Sequence, residues 1–195
     1  MSKGRVEAFS DGVIAIIITI IVLLFDVPDG NDFAALMNMM PLVLMYLVSF
    51  ILIGTHWVNH HHLFQVTVKV NGRIIWANLL YLFTLSLMPV ATGWVGVSRF
   101  AQFPTTVYAV VSMAASLSYI LLQKLIVSFH DCVRLKEVID NSKKELVTVI
   151  LHTLALICSF ITPIRFLTYI FLVAMSLLWV IPDIRMSKVY DESNR

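Results

Sequence analysis

Residues 12–25 read GVIAIIITIIVLLF, an apolar run that lies between Asp11 and Asp26 and contains one hydroxyl group, that of Thr19. As an α-helix these fourteen residues reach about 21 Å, well short of the hydrocarbon core of a bilayer, which is about 30 Å thick. If lipid surrounded such a helix, both aspartates would meet lipid tails. The helix is stable where protein surrounds it and water reaches both ends, and this is the environment of a pore-lining helix.

The composition of the whole chain is that of an integral membrane protein. Of its 195 residues, 59% are hydrophobic and 13% are charged, whereas soluble domains have about 45–50% apolar and about 25% charged residues. The mean hydropathy is +0.87. A soluble enzyme, a nucleic-acid-binding protein and a disordered chain are all disfavoured, because none could keep so much apolar surface out of water.

Apolar stretches bounded by charges, prolines or polar clusters predict an all-α, polytopic membrane protein whose residues 1–195 form a single unit of six transmembrane helices. The predicted spans are 12–25, 41–59, 74–97, 105–129, 146–162 and 166–182. Between them lie a predicted loop at His60–Arg73 and another at Asp131–Glu145. The turn at residues 163–165 is short enough to predict a helical hairpin.

The distribution of Lys and Arg predicts that both termini are cytoplasmic, since short loops rich in these residues remain on that side. With the N terminus inside, only Arg99 and Arg165 of the 14 basic residues lie outside. Cytoplasmic termini require an even number of spans, which supports six. The first apolar run is not predicted to be a cleaved signal peptide, because Glu7 and Asp11 precede it and no small-residue cleavage pattern follows.

The first helix has one distinct apolar stripe at about 100° per residue. Gly12, Ile16, Thr19, Ile20 and Leu23 share this stripe. If several copies converge on one axis, the three aliphatic side chains form stacked rings that can gate by dewetting. By periodicity alone, the alternative to a pore lining is that the stripe packs in the protein core, because an aliphatic stripe at helical spacing is typical of a core.

Polar residues near the start of this helix predict a structural network. Ser10 and Asp11 lie on the side opposite the stripe, and charges at membrane depth are expensive unless partnered. The alternative is an interfacial Asp11 in water, with Ser10 capping the helix. The residues predicted to form the network and hold the first helix against the second and third spans are Arg5, Phe9, Ser10, Asp11, Trp57, His60, His61 and Asn78.

The sequence predicts no metal site and no catalytic residues. His56 and His60 are one helical turn apart, as metal or haem ligands can be, but no Cys or carboxylate is near and interfacial hydrogen bonding explains them equally well. Cys132 and Cys158 form no ligand motif. The chain contains no nucleophile–base pair, phosphate-binding loop or carboxylate pair, so we predict neither an enzyme nor a cofactor.

Two stretches resemble one known family. Residues 5–11, RVEAFSD, are similar to the R-x-x-x-F-S-D signature that opens the first helix of the transmembrane protein 175 potassium channels, and an apolar run follows at once. Residues 57–64, WVNHHHLF, also resemble the end of the second helix in that family. The chain has no T-V-G-Y-G-like carbonyl filter.

The resemblance implies a homotetramer in which the four first helices line the ion path. It places the hydrophobic filter at Ile16, further apolar layers at Ile20 and Leu23, and the threonine associated with selectivity at Thr19. One position departs from the family, because Leu24 stands where many bacterial relatives carry an acidic residue and Asp26 follows two positions later.

The sequence therefore predicts a potassium-selective channel that crosses the cell membrane several times, with no cofactor. Its predicted partners are potassium ions, membrane lipid and further copies of the chain, and not nucleic acid. The alternative is a proton-coupled secondary transporter with Asp11 as the proton carrier. A membrane enzyme or haem protein using His56 and His60 is a further alternative.

Overall fold

The computed structural model describes residues 2–28, 30–130 and 143–180, and within these ranges the chain is helical with no strand. This confirms the all-α prediction for the described part of the chain. The helices are α1 (Lys3–Val22), α2 (Phe33–Val66), α3 (Gly72–Ser86), α4 (Met88–Val97), α5 (Gln102–His130), α6 (Lys144–Ser159) and α7 (Leu167–Val180), with a 3-10 turn at Thr162–Ile164.

Side-chain caps start two of these helices. The carboxylate of Asp32 accepts the backbone N–H of Ala35 at 2.8 Å, and the amide oxygen of Asn71 accepts that of Ile74 at 2.9 Å. Each cap satisfies a backbone donor that has no partner inside its own helix. The caps therefore set where α2 and α3 begin.

The predicted loop at His60–Arg73 is wrong for its first part, because α2 continues to Val66. The three consecutive histidines suggested a polar loop, yet Leu63 and Phe64 are fully buried and His60 stacks on the Phe64 ring with centroids 4.5 Å apart. Burial of this apolar face stabilises the last two turns as helix. The predicted loop at Asp131–Glu145 lies mostly outside the described residues.

Three described stretches are long and apolar enough to cross a membrane by themselves: Phe33–Val66, Gly72–Val97 and Gln102–Phe129. The second of these combines α3 and α4, which are separated at Leu87. Pro89 lacks a backbone N–H and so interrupts the helical ladder there. The predicted spans 146–162 and 166–182 fall on the shorter helices α6 and α7, and residues 181–182 lie outside the described part.

The helices pack so that α1 is held from one side. It contacts α2, α3 and α4, while α5 packs on α3, α4 and α6, and α7 packs on α6 and α2. Buried hydroxyl groups link these layers, since Ser49 Oγ lies 2.7 Å from Thr92 Oγ1 and 2.9 Å from Tyr108 Oη. The platform of α2–α4 therefore determines where α1 sits.

Gly96 allows α2 and α4 to cross closely. A Cβ atom placed on Gly96 would lie 2.8 Å from Leu42 Cα, which is a backbone atom that cannot rotate away. Any side chain at this position would push the two helices apart.

We expect Gly96→Ala to lower the free energy of unfolding by about 1–3 kcal/mol, the usual effect of overpacking. Thermal unfolding of the detergent-solubilised protein measures this change. Gly54→Ala is the matched control, because a Cβ at Gly54 meets nothing within 4 Å. Equal melting temperatures for the two variants would show that the crossing has room to spare.

Candidate functional site

Helix α1 has one buried face and one exposed face. The buried residues are Val6, Ser10, Ile14, Ile17 and Ile21. On the opposite side the predicted stripe is uncovered: the side chains of Ile16 and Leu23 are 58% and 80% exposed, and Gly12, Thr19 and Ile20 are exposed as well. The described part of the chain therefore leaves this apolar stripe without a covering helix.

Thr19 places an oxygen atom on the exposed stripe. Its hydroxyl donates to the backbone carbonyls of Ala15 and Ile16, at 3.1 and 3.0 Å. Because the hydroxyl hydrogen is engaged within the helix, the lone pairs of the oxygen remain available on the outer face. The oxygen therefore lies on the same exposed side of α1 as Ile16 and Ile20.

A buried hydrogen-bonded chain fastens α1 to α3 and α2. Asn78 Nδ2 donates to Ser10 Oγ at 2.9 Å, and Asn78 Oδ1 lies 2.9 Å from His60 Nε2. Because an amide oxygen can only accept, Nε2 of the His60 imidazole carries the hydrogen. Ser10 also donates to the Val6 carbonyl at 2.8 Å. Three buried polar side chains thus connect three helices.

A second row of contacts, which we call the polar ladder, joins α1 to α2. Lys3 Nζ donates to the Gln65 carbonyl at 3.3 Å, Glu7 Oε1 lies 3.6 Å from His61 Nδ1, and Asp11 Oδ1 accepts from Trp57 Nε1 at 3.0 Å. From one contact to the next, the residue number increases by four on α1 and decreases by four on α2. This is the register of two antiparallel helices that pack side by side.

The structure thus brings together six of the eight predicted network residues and leaves out two. The side chains of Arg5 and Phe9 are exposed, and in the described ranges neither makes a hydrogen bond or ion pair. Sequence reasoning missed Lys3, Glu7 and Gln65. The sequence did contain a signal for these contacts. Side chains that can form hydrogen bonds recur every four positions at 3, 7 and 11, and again at 57, 61 and 65.

The histidines of α2 do not converge on a metal-binding arrangement. His60 is bonded to Asn78, whereas the His56 ring packs near the rings of Tyr81 and Tyr119, with centroid distances of 5.8 and 6.2 Å. No group of three or more metal-ligating side chains occurs among the residues that the structure describes.

Leu24, at the end of α1, packs against α4. A Cβ on Gly93 would lie 2.8 Å from Leu24 Cδ1, so the glycine leaves the space that the leucine fills. This packing gives the apolar residue a physical role at a position where the sequence departs from the family pattern. Asp26, two residues further on, is exposed.

Comparisons with known proteins identify a family. The family model described as endosomal/lysosomal potassium channel TMEM175 matches residues 5–89. A potassium channel of a Chryseobacterium species is 46% identical over 194 residues, which cover 99% of this chain and 100% of that protein. The human endosomal/lysosomal proton channel TMEM175 is 37% identical over 116 residues, covering 53% of this chain and 23% of the human protein.

A solved structure shares the fold. The crystal structure of a lysosomal potassium-selective channel TMEM175 homolog from Chamaesiphon minutus superimposes with a TM-score of 0.79 at 26% sequence identity. The match covers 93% of this chain and 97% of the other. The helical arrangement described above is therefore one that a channel also has.

Proposed function

Because this chain belongs to the TMEM175 family of potassium channels and is a multi-pass membrane protein, we propose that it conducts potassium ions passively through a pore lined by α1 from each of several copies. In this pore α1 is the lining helix, Ile16 forms the constriction and dehydration at that ring gives the preference for potassium.

One observation carries this proposal: α1 is anchored on one face and bare on the other. Its polar side chains Ser10 and Asp11 are bonded to neighbouring helices, while its aliphatic stripe has no covering element in the described part of the subunit. Convergence of several such stripes on one axis would cover Ile16, Ile20 and Leu23 and stack them as narrow apolar rings.

Conduction through such rings depends on dehydration. A ring of isoleucine side chains offers an ion no oxygen to replace the water it loses, so the barrier follows the energy needed to strip water. Potassium holds its water less tightly than sodium and therefore crosses more readily. Thr19, one turn beyond Ile16, supplies the nearest side-chain oxygen on the stripe.

The complete assembly in this proposal is a homotetramer of six-span subunits with cytoplasmic termini. The long apolar helices, the lysine and arginine distribution and the family resemblance support it. Asp26 and Asp32, at the opposite end of α1 from the polar ladder, would raise the local cation concentration at the outer mouth.

Flux from proteoliposomes tests the function. Purified protein is reconstituted into vesicles loaded with potassium, and efflux is followed under an imposed membrane potential, then repeated with sodium. The proposal predicts voltage-driven potassium flux that exceeds sodium flux and needs no proton gradient. Saturable flux that requires a pH gradient would favour the transporter instead.

We expect Asp11→Asn to retain potassium flux within about twofold of the parent, because an amide oxygen can still accept the Trp57 N–H bond. Asp11→Leu is the matched comparison, since it has a similar size but no acceptor, and it should lower both flux and thermal stability. A proton carrier at this position predicts that both variants lose transport equally.

A further inference from the structure

Behind α2, away from the exposed stripe of α1, a cavity lies between α2, α5, α6 and α7. Its volume is about 20 Å³, and its polar lining includes His56, Asn59, Ser116, Ser176 and Trp179. A cavity needs about 10–15 Å³ to hold one water molecule. The space therefore suits one small occupant.

The His56 side chain faces this cavity without a protein partner. It is only 8% exposed, and within the described ranges neither of its ring nitrogens makes a hydrogen bond. Tyr81 and Tyr119 contact the ring but do not bond its nitrogens. A neutral imidazole has one hydrogen-bond donor and one acceptor, and both are available to a molecule in the cavity.

Asn59 adds a second unused group to the same cavity. Its Nδ2 donates to the carbonyls of Thr55 and Trp179, at 2.7 and 3.2 Å. Its Oδ1 has no hydrogen-bond donor in the part of the chain that is described. Two residues that line a space large enough for one water, Asn59 and His56, thus carry one amide oxygen and two ring nitrogens with no partner in the described ranges.

We infer that this cavity is a water-binding site in each subunit, with His56 as its principal ligand and Asn59 Oδ1 as a second. Buried waters typically make about three hydrogen bonds to groups that would otherwise be unsatisfied. The described lining contains no charged side chain, so a neutral molecule fits better than a desolvated ion.

Charged residues near one end of the cavity indicate where water reaches it. The Lys144 ammonium lies 5.8 Å from the centroid of the Trp179 ring, and Lys124 pairs with Glu145 at 3.1 Å. Such groups are stable at a bilayer interface and not in its core. The cavity therefore lies next to solvated surface and is separated from the α1 stripe by α2.

Water-edited solid-state NMR of the full-length protein in lipid vesicles tests the site directly. The histidines are labelled with nitrogen-15. Magnetisation passes from water faster to ring nitrogens that bind a water molecule than to those that do not. The internal control is Nδ1 of His152, which is buried and donates to the Thr148 carbonyl at 2.9 Å. Its Nε2 is not used for the comparison, because it lies 3.3 Å from the hydroxyl of Ser116, which lines the cavity. The variants His56→Gln and His152→Gln assign the signals.

We expect the His56 signal to build up several-fold faster than that of His152 and about as fast as that of the partly exposed His61. In Ser176→Val, where a bulkier, apolar side chain replaces a hydroxyl in the cavity wall, the His56 transfer should fall toward the rate of His152. Equal slow transfer to His56 and His152 in the parent protein would overturn the inference. Unchanged fast transfer in a folded Ser176→Val protein would overturn it as well.

Discussion

We expect Ile16→Asn to raise sodium flux through reconstituted protein by about tenfold or more, a change that corresponds to about 1.4 kcal/mol off the barrier. The amide group would wet the proposed ring at position 16 and supply oxygen to an ion that has lost water. Since sodium is penalised most by dehydration, it gains most, and the preference for potassium falls. Vesicle flux measured in parallel for the two ions gives the ratio.

Two further variants test whether the change in ion preference is specific to a polar side chain at position 16. Ile16→Val keeps the ring apolar and should preserve the preference for potassium. Val22→Asn places the same amide on α1 about 120° around the helix from Ile16, at a position that is also exposed in the subunit, and should leave the ion ratio unchanged. An unchanged ratio in Ile16→Asn would remove Ile16 from the selectivity mechanism.

The largest loss of stability is expected for Asn78→Leu. This change leaves the Nε2–H of His60 and an acceptor site of Ser10 buried without partners, and each orphaned group costs about 1–3 kcal/mol. The predicted decrease in the free energy of unfolding is about 2–6 kcal/mol, with a parallel loss of flux because α1 is no longer fastened to α3. Chemical unfolding in detergent and vesicle flux measure the two effects.

Two control variants distinguish the loss of this hydrogen-bonded network from the general effect of replacing an asparagine by leucine. Asn38→Leu removes an exposed asparagine amide whose oxygen lies 3.3 Å from Arg99 Nη2, and it should change stability by no more than about 0.5 kcal/mol. Adding His60→Phe to Asn78→Leu removes the orphaned donor and should restore part of the loss. If Asn78→Leu were as stable as Asn38→Leu, the buried chain would not be what holds α1.

Sequence reasoning identified the two faces of α1 because helical periodicity applies directly to one short segment. The stripe of Ile16, Thr19 and Ile20 and the opposite polar pair Ser10 and Asp11 follow from about 100° per residue. Which neighbours receive the polar pair depends on how α2 and α3 pack. Asn78 and Trp57 were therefore predicted only as members of a candidate set.

Other features could not be obtained from local pattern. His60 is polar by type but lies stacked between Phe64 and Tyr81. Tertiary packing therefore makes this stretch helical, although its sequence predicts a loop. The unpaired ring of His56 is visible only once four helices surround it. Arg5 belongs to the signature, yet the described subunit gives it no partner, because a single-chain motif does not show which surface its residues face.

In the proposed pore, the exposed stripes of α1 from several copies face one another around the ion path. Cadmium block of potassium flux tests this most directly, because cysteines that face a common axis can together bind the ion. In a background in which Cys132 and Cys158 are replaced by serine, Ile16→Cys and Val22→Cys are compared, since these side chains are 58% and 47% exposed in the subunit. We expect micromolar cadmium to block flux through Ile16→Cys and to leave Val22→Cys unaffected. Block at neither position, or at Val22→Cys alone, in protein that conducts normally would contradict it.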